Sequence, residues 1–230
     1  MRTRKTIKTG LIAAIFSGLF IPVACNSSLE PNIEAKSINK SLETVELNQF
    51  PIEALSSDEV KGVLFMREEE KLARDVYTVS YATWGRRIFN NISMSEQRHM
   101  DALKRLIEKY DLDDPVKIDS VGVFRNDTLQ ALYSTLTLQS EGSQQEALKV
   151  GALIEEIDIL DLQEQLDKYV DNEDITFVYK NLMRGSHNHL RAFVRNLSRM
   201  GVEYEPQKLS AEQYQAIISS SSQRGRRGRN

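Results

Sequence analysis

The sequence predicts an all-α fold, a four-helix bundle with a long crossover between its second and third helices. Three observations point there. Five prolines and eleven glycines in 230 residues are few enough for long uninterrupted helices. Four segments carry apolar residues at steps of three and four, which places them on one face of a helix. No segment alternates apolar and polar residues as a half-buried strand would, and the chain has no internal repeat.

The first helix is expected to start at Ser56, where Ser56-Ser57-Asp58-Glu59 has the capping-box pattern, and to stop between Trp84 and Gly85. Its stripe is Val63, Met66, Glu70, Ala73, Tyr77, Ser80 and Trp84. The second starts just before Phe89, or at Ser93 or Ser95, and ends near Tyr110. Its stripe is Phe89, Ile92, Glu96, His99, Leu103, Leu106 and Tyr110. Asp111 to Arg125 reads as a loop, punctuated by Pro115 and Gly122. Asp127 is the expected cap of a short helix to about Gln139. Ser143-Gln144-Gln145-Glu146 is a second capping-box pattern, opening the third long helix to Tyr169. That helix carries Leu148, Ala152, Glu155, Ile159, Leu162, Leu166 and Tyr169 on one face. Asn172 or Asp174 caps the fourth, which ends near Gly201 with Pro206 beyond and carries Val178, Leu182, Ser186, His189, Phe193 and Leu197. Ser210 opens a short final helix.

The domain organisation follows: 1–25 an export signal, 26–54 a polar tether, 55–205 the helical bundle, 206–218 a short C-terminal helix and 219–230 a basic tail. The signal reading rests on Arg2, Arg4, Lys5 and Lys8 before the apolar run Leu11 to Val23, which is short for a membrane span. Cys25 is the only cysteine, so disulfides within the chain are excluded. Directly after the signal core it resembles a lipoprotein lipidation site, although proline stands at 22 where such signals carry leucine. The alternative is ordinary cleavage near Ala24. The expected location is therefore the bacterial cell envelope, as a membrane-anchored lipoprotein, or else the periplasm or exterior. Without residues 1–24 the formal charge moves from −3 to −7, which argues against a nucleic-acid partner. The serine run and the four arginines from Arg224 to Arg229 cannot bury a core.

In each long stripe a metal-ligand residue type occupies a position where an apolar one is expected: Glu70, Glu96 with His99, Glu155 and His189. Charge is depleted at such positions unless it is paired or ligates a metal. Structural ion pairs are the plain alternative, with Arg98 or Arg184 as candidate partners. Glu69 competes with Glu70 from a second face of the first helix, and Glu156 competes with Glu155. Asp158 and His187 are weaker candidates. Carboxylates and imidazoles suit iron or manganese.

The order Glu, E-x-x-H, Glu, His on successive helices resembles the ferritin-like di-iron proteins, with bacterioferritin and rubrerythrin as parallels. Glu70-Lys71-Leu72-Ala73-Arg74-Asp75-Val76-Tyr77 looks like their first-helix Glu-x-x-Ala-x-x-x-Tyr segment, which selects Glu70 over Glu69. Residues 55 to about 205 resemble most closely a ferritin-like family of exported prokaryotic proteins of unestablished function. The resemblance implies a ferritin-like bundle, an iron or manganese centre, and possible tasks in iron oxidation or peroxide removal. Glu70 and His99 would serve one ion and His189 the other, with Glu96 and Glu155 bridging. Tyr77 and Trp84 are candidate relay groups. Ser186 stands where a second E-x-x-H would carry glutamate, with Asp158 a candidate replacement. The interval from Glu70 to Glu96 is also nearly two turns short. The envelope membrane, an unspecified redox partner and a second copy of the chain are the candidate partners. A different class of reading is an envelope interaction domain with a vestigial ligand set.

Overall fold

The computed structural model describes Leu47 and residues 49–220. The expected signal, Cys25, most of the tether and the arginine tail lie outside the described residues. The described residues include the helices α1 (Ser57–Trp84), α2 (Arg87–Lys109), α3 (Asp127–Ser140), α4 (Gln144–Lys168), α5 (Glu173–Ser198) and α6 (Ala211–Ser219). Among the described residues there is no strand, and no helix is long and apolar enough to cross a membrane.

The caps show why the boundaries fall where they do. Ser56 Oγ accepts from the Glu59 N–H, and the Glu59 carboxylate accepts from the Ser56 N–H, so the first capping box is complete. Gly85 closes α1 at φ 64°, a conformation that side chains with a Cβ avoid. It lets α2 begin at Arg87 rather than at Ser93 or Ser95. The cap of α3 is Asn126, not Asp127. Its Oδ1 accepts from Thr128 and Leu129 N–H, and Asp127 becomes the first helical residue, where its charge suits the helix dipole. The second expected box is half formed: Ser143 accepts from Glu146 N–H, but the Glu146 carboxylate turns to Lys149. Asn172 occupies the N-cap of α5 without a side-chain cap bond, and its amide N–H donates to Glu59.

The long helices pack as two antiparallel hairpins. In one, Arg67 of α1 reaches Met100 of α2, and Glu70 faces His99. In the other, Asp158 lies opposite Ser186 and Glu155 opposite His189, so residue numbers fall along α4 as they rise along α5. The crossover carries α3 across α1 and α4. Its loop is tied to α1 by buried polar side chains. Glu68 accepts from Arg125 and Asn126 N–H, Lys71 donates to the Ser120 carbonyl, and Asp75 accepts from Gly122 N–H. These charges satisfy backbone groups of the loop and fix it to the helix.

Two apolar clusters fill the bundle. One gathers Tyr77, Phe89, Leu148 and Phe193 towards the Gly85 end; the other gathers Met66, Leu103, Leu162 and Leu182 towards the opposite end. All four long helices interrupt this core at the same level, with Glu69 and Glu70, Glu96 and His99, Glu155 and Asp158, and Ser186 and His189.

Candidate metal centre

Five of the singled-out side chains converge in that layer. The donor atoms of Glu70, Glu96 and His99 lie within 4.8 Å of one another, and those of Glu96, Glu155 and His189 form a second such set. Glu96 belongs to both. One of its oxygens is 2.7 Å from His99 Nδ1 and the other 2.8 Å from His189 Nδ1. Glu70 lies 3.1 Å from His99 Nδ1, and Glu155 lies 3.4 Å from His189 Nδ1. The imidazoles stack with centroids 5.5 Å apart.

The geometry of one contact is informative. Glu96 Oε1 and His189 Nδ1 approach to 2.8 Å, yet neither is oriented to make a hydrogen bond. Glu70 Oε1 is likewise buried without a hydrogen bond. Ligand atoms about 2.1 Å from a common ion and at right angles to each other lie about 3 Å apart. The spacings here fit edges of such a coordination sphere, and the set of three carboxylates with two imidazoles suits iron or manganese.

The electrostatics follow from crowding. Burial and the neighbouring Glu96 push the Glu70 carboxyl up to about 7, against the pull of His99. Burial and Glu96 also raise Glu155, against His189. Burial acts to raise Glu96 too, but His189 and His99 outweigh it and hold that carboxyl well below the usual range. Desolvation would lower both histidines. Glu70 and Glu96 instead hold His99 well above its ordinary value, and Glu96 and Glu155 raise His189 to about 10. The layer therefore retains protons on groups that a bound cation would require deprotonated, so cation binding would release them.

The remaining candidates lie around this centre. Tyr77 donates to Glu155 at 2.6 Å and orients that carboxylate. Trp84 donates its indole N–H to the Ser140 carbonyl. Glu155 belongs to one set only, in contrast to the bridging position that the ferritin resemblance implies. Asp158 accepts from Ser186 Oγ one turn from the second set, and Glu69 points to Asp161 and Asp158. Glu156 turns away from the layer altogether, and His187 is half-buried outside both sets.

One contributor was not singled out from sequence. A Cβ on Gly185 would sit 2.5 Å from His99 Nε2, so only glycine on α5 lets that ring enter the layer. An isolated glycine inside a helical pattern was the available signal.

A family model described as an uncharacterised protein domain, DUF2202, matches residues 59–221. An uncharacterised protein of Methanocaldococcus jannaschii, MJ0754, is 54% identical over 179 residues, which is 78% of this chain and 96% of that protein. The crystal structure titled as hypothetical protein MJ0754 from Methanococcus jannaschii aligns at a TM-score of 0.74 and 54% identity, covering 75% of this chain and 98% of that one.

Proposed function

The chain belongs to the DUF2202 domain family, and we propose that it is an exported metal-binding protein built on a ferritin-like four-helix bundle. The observation that carries the proposal is the pair of carboxylate–imidazole sets joined by Glu96. Iron is the expected metal, with manganese the substitute. Glu70 and His99 would hold one ion, Glu155 and His189 the other, and Glu96 both. Bound there, the metal would supply redox chemistry towards oxygen or peroxide. The protein's own contribution is to keep the site between two apolar clusters, to orient Glu155 through Tyr77, and to take up or release protons at Glu70 and the imidazoles. Export is supported by the basic start and apolar run of residues 2–23, and a membrane anchor by the sole cysteine, Cys25.

Elemental mass spectrometry on the full chain, purified without a histidine tag, tests the metal reading. Iron or manganese at about one to two ions per chain, lost in Glu96→Ala, is the expected result. Failure to retain metal after reconstitution with ferrous iron overturns it. One observation favours a second reading, an interaction domain: raised imidazole protonation lets His99 and His189 neutralise Glu96 without a metal. In that case His99→Ala changes stability alone. The other carboxylate contacts speak for the metal reading, since Glu70 and Glu155 are met by imidazole and Tyr77 rather than by arginine.

A further inference from the structure

Four buried oxygens without a hydrogen-bond partner lie in one seam among α1, α4 and α5: Glu69 Oε2, Asp158 Oδ1, Gln165 Oε1 and the Tyr179 hydroxyl. Asp158, Asp161 and Gln165 follow one another on one face of α4 at steps of three and four. Across from them on α1, Glu69 shares a side-chain hydrogen bond with Asp161 and meets the charges of Asp158 and Glu70. Two turns earlier on α1, a Cβ on Gly62 would lie 2.2 Å from Gln165 Oε1 and 3.3 Å from the Tyr179 hydroxyl, so α4 and α5 bring those oxygens to one point. The charge of Glu69 also reaches Tyr179. Glu69, Asp158 and Tyr179 are 5%, 5% and 0% exposed, whereas Asp161 and Gln165 are half-buried. The seam therefore opens to solvent along α4, and Asp158, under the charges of Glu70, Glu155 and Glu96, joins it to the carboxylate–imidazole layer.

Buried oxygens without partners are costly to keep. Carboxylate, amide and hydroxyl oxygens are also the donors that replace water around a hard divalent cation. Without them, the apolar clusters on either side of the layer would oppose the passage of a double charge. We propose that this seam is the entry path for a divalent cation, with Asp161 taking the ion from water and Glu69 passing it to Glu70. Gln165 and Tyr179 supply neutral oxygens beside the path. Asp161 and Glu69 are outside both donor sets, so their part is transfer rather than retention. The path rests on the metal reading above and adds to it the residues that govern the rate of loading.

Stopped-flow mixing of the metal-free full chain with cobalt(II), followed by the ligand-field absorption of the bound ion, tests the path. The wild-type chain should load, and Asp161→Asn should load about tenfold more slowly. A residue that only passes the ion lowers entry and exit alike, so the equilibrium affinity of Asp161→Asn should be unchanged. Glu69→Gln should slow loading by at least as much. Asp161→Glu keeps the carboxylate and should restore most of the rate. Asp167→Asn removes the same charge from an exposed position of α4 and should load at the wild-type rate. Equal rates in Asp161→Asn and wild type, or a slowing shared by Asp167→Asn, overturn the path and leave the centre standing. So does a loss of affinity that matches the loss of rate, which would make Asp161 a ligand. A wild-type chain that takes up no cobalt overturns the metal reading, and the path with it.

Discussion

Glu155 and Glu156 are adjacent on α4 and both are buried, but they answer to different partners. Glu156 accepts from the backbone N–H groups of Gln207, Lys208 and Leu209 and from the Tyr204 hydroxyl, at 2.5 to 3.1 Å. Glu155 accepts from Tyr77 and otherwise faces His189 in a set shared with Glu96. On α1, Glu68 holds the crossover backbone while Glu70 faces His99. Backbone donors cannot exchange their proton for a cation, so Glu156 and Glu68 are committed to the fold. Imidazoles and neighbouring carboxyls can make that exchange. Burial of a carboxylate thus identifies neither role; the chemistry of its partners does.

The largest test of that distinction is Glu156→Ala. It strands three backbone donors and a phenol, and should cost about 3–5 kcal/mol of stability in urea unfolding, with the segment before α6 released. A loss below about 1 kcal/mol would break the comparison. Gly185→Ala comes next. The added methyl would displace His99, and overpacking should cost about 1–3 kcal/mol, partly offset by helix propensity. Metal affinity should fall with it, read by competitive chelation.

Glu59 sharpens the committed side through pH. Burial pushes its carboxyl up, but donors from Ser56 and Asn172 more than offset this and set it at about 2, against the usual 4.5. A depressed carboxyl stabilises the fold fully above pH 4.5 and loses that contribution as pH falls towards 2. Denaturant titrations across this window should show a flatter acid limb in Glu59→Gln. The smallest expected effect is Glu155→Gln in the metal-free chain. Removing one charge from a crowded carboxylate layer should change stability by less than about 1 kcal/mol, or raise it, while metal retention falls.

Much of this was legible in the sequence for physical reasons. Helical periodicity placed Glu70, Glu96, His99, Glu155 and His189 on buried faces, and the structure brings all five into one layer. Capping chemistry located α1, α4 and α6. What escaped was non-local. Asn126 and Asp127 can each cap, and the choice depends on where the crossover docks on Glu68. Trp84 shares a stripe with Glu70 but lies at the helix end, where Ser140 claims it. Gln165 and Tyr179 meet at Gly62 from two helices whose juxtaposition no local pattern records.

The most direct test of the central claim is anomalous diffraction from crystals of the chain loaded with ferrous iron. The account predicts iron peaks among Glu70, Glu96 and His99 and among Glu96, Glu155 and His189, each about 2.0–2.3 Å from its ligand atoms. Iron bound elsewhere, or a layer with protons alone between its carboxylates and imidazoles, would contradict it.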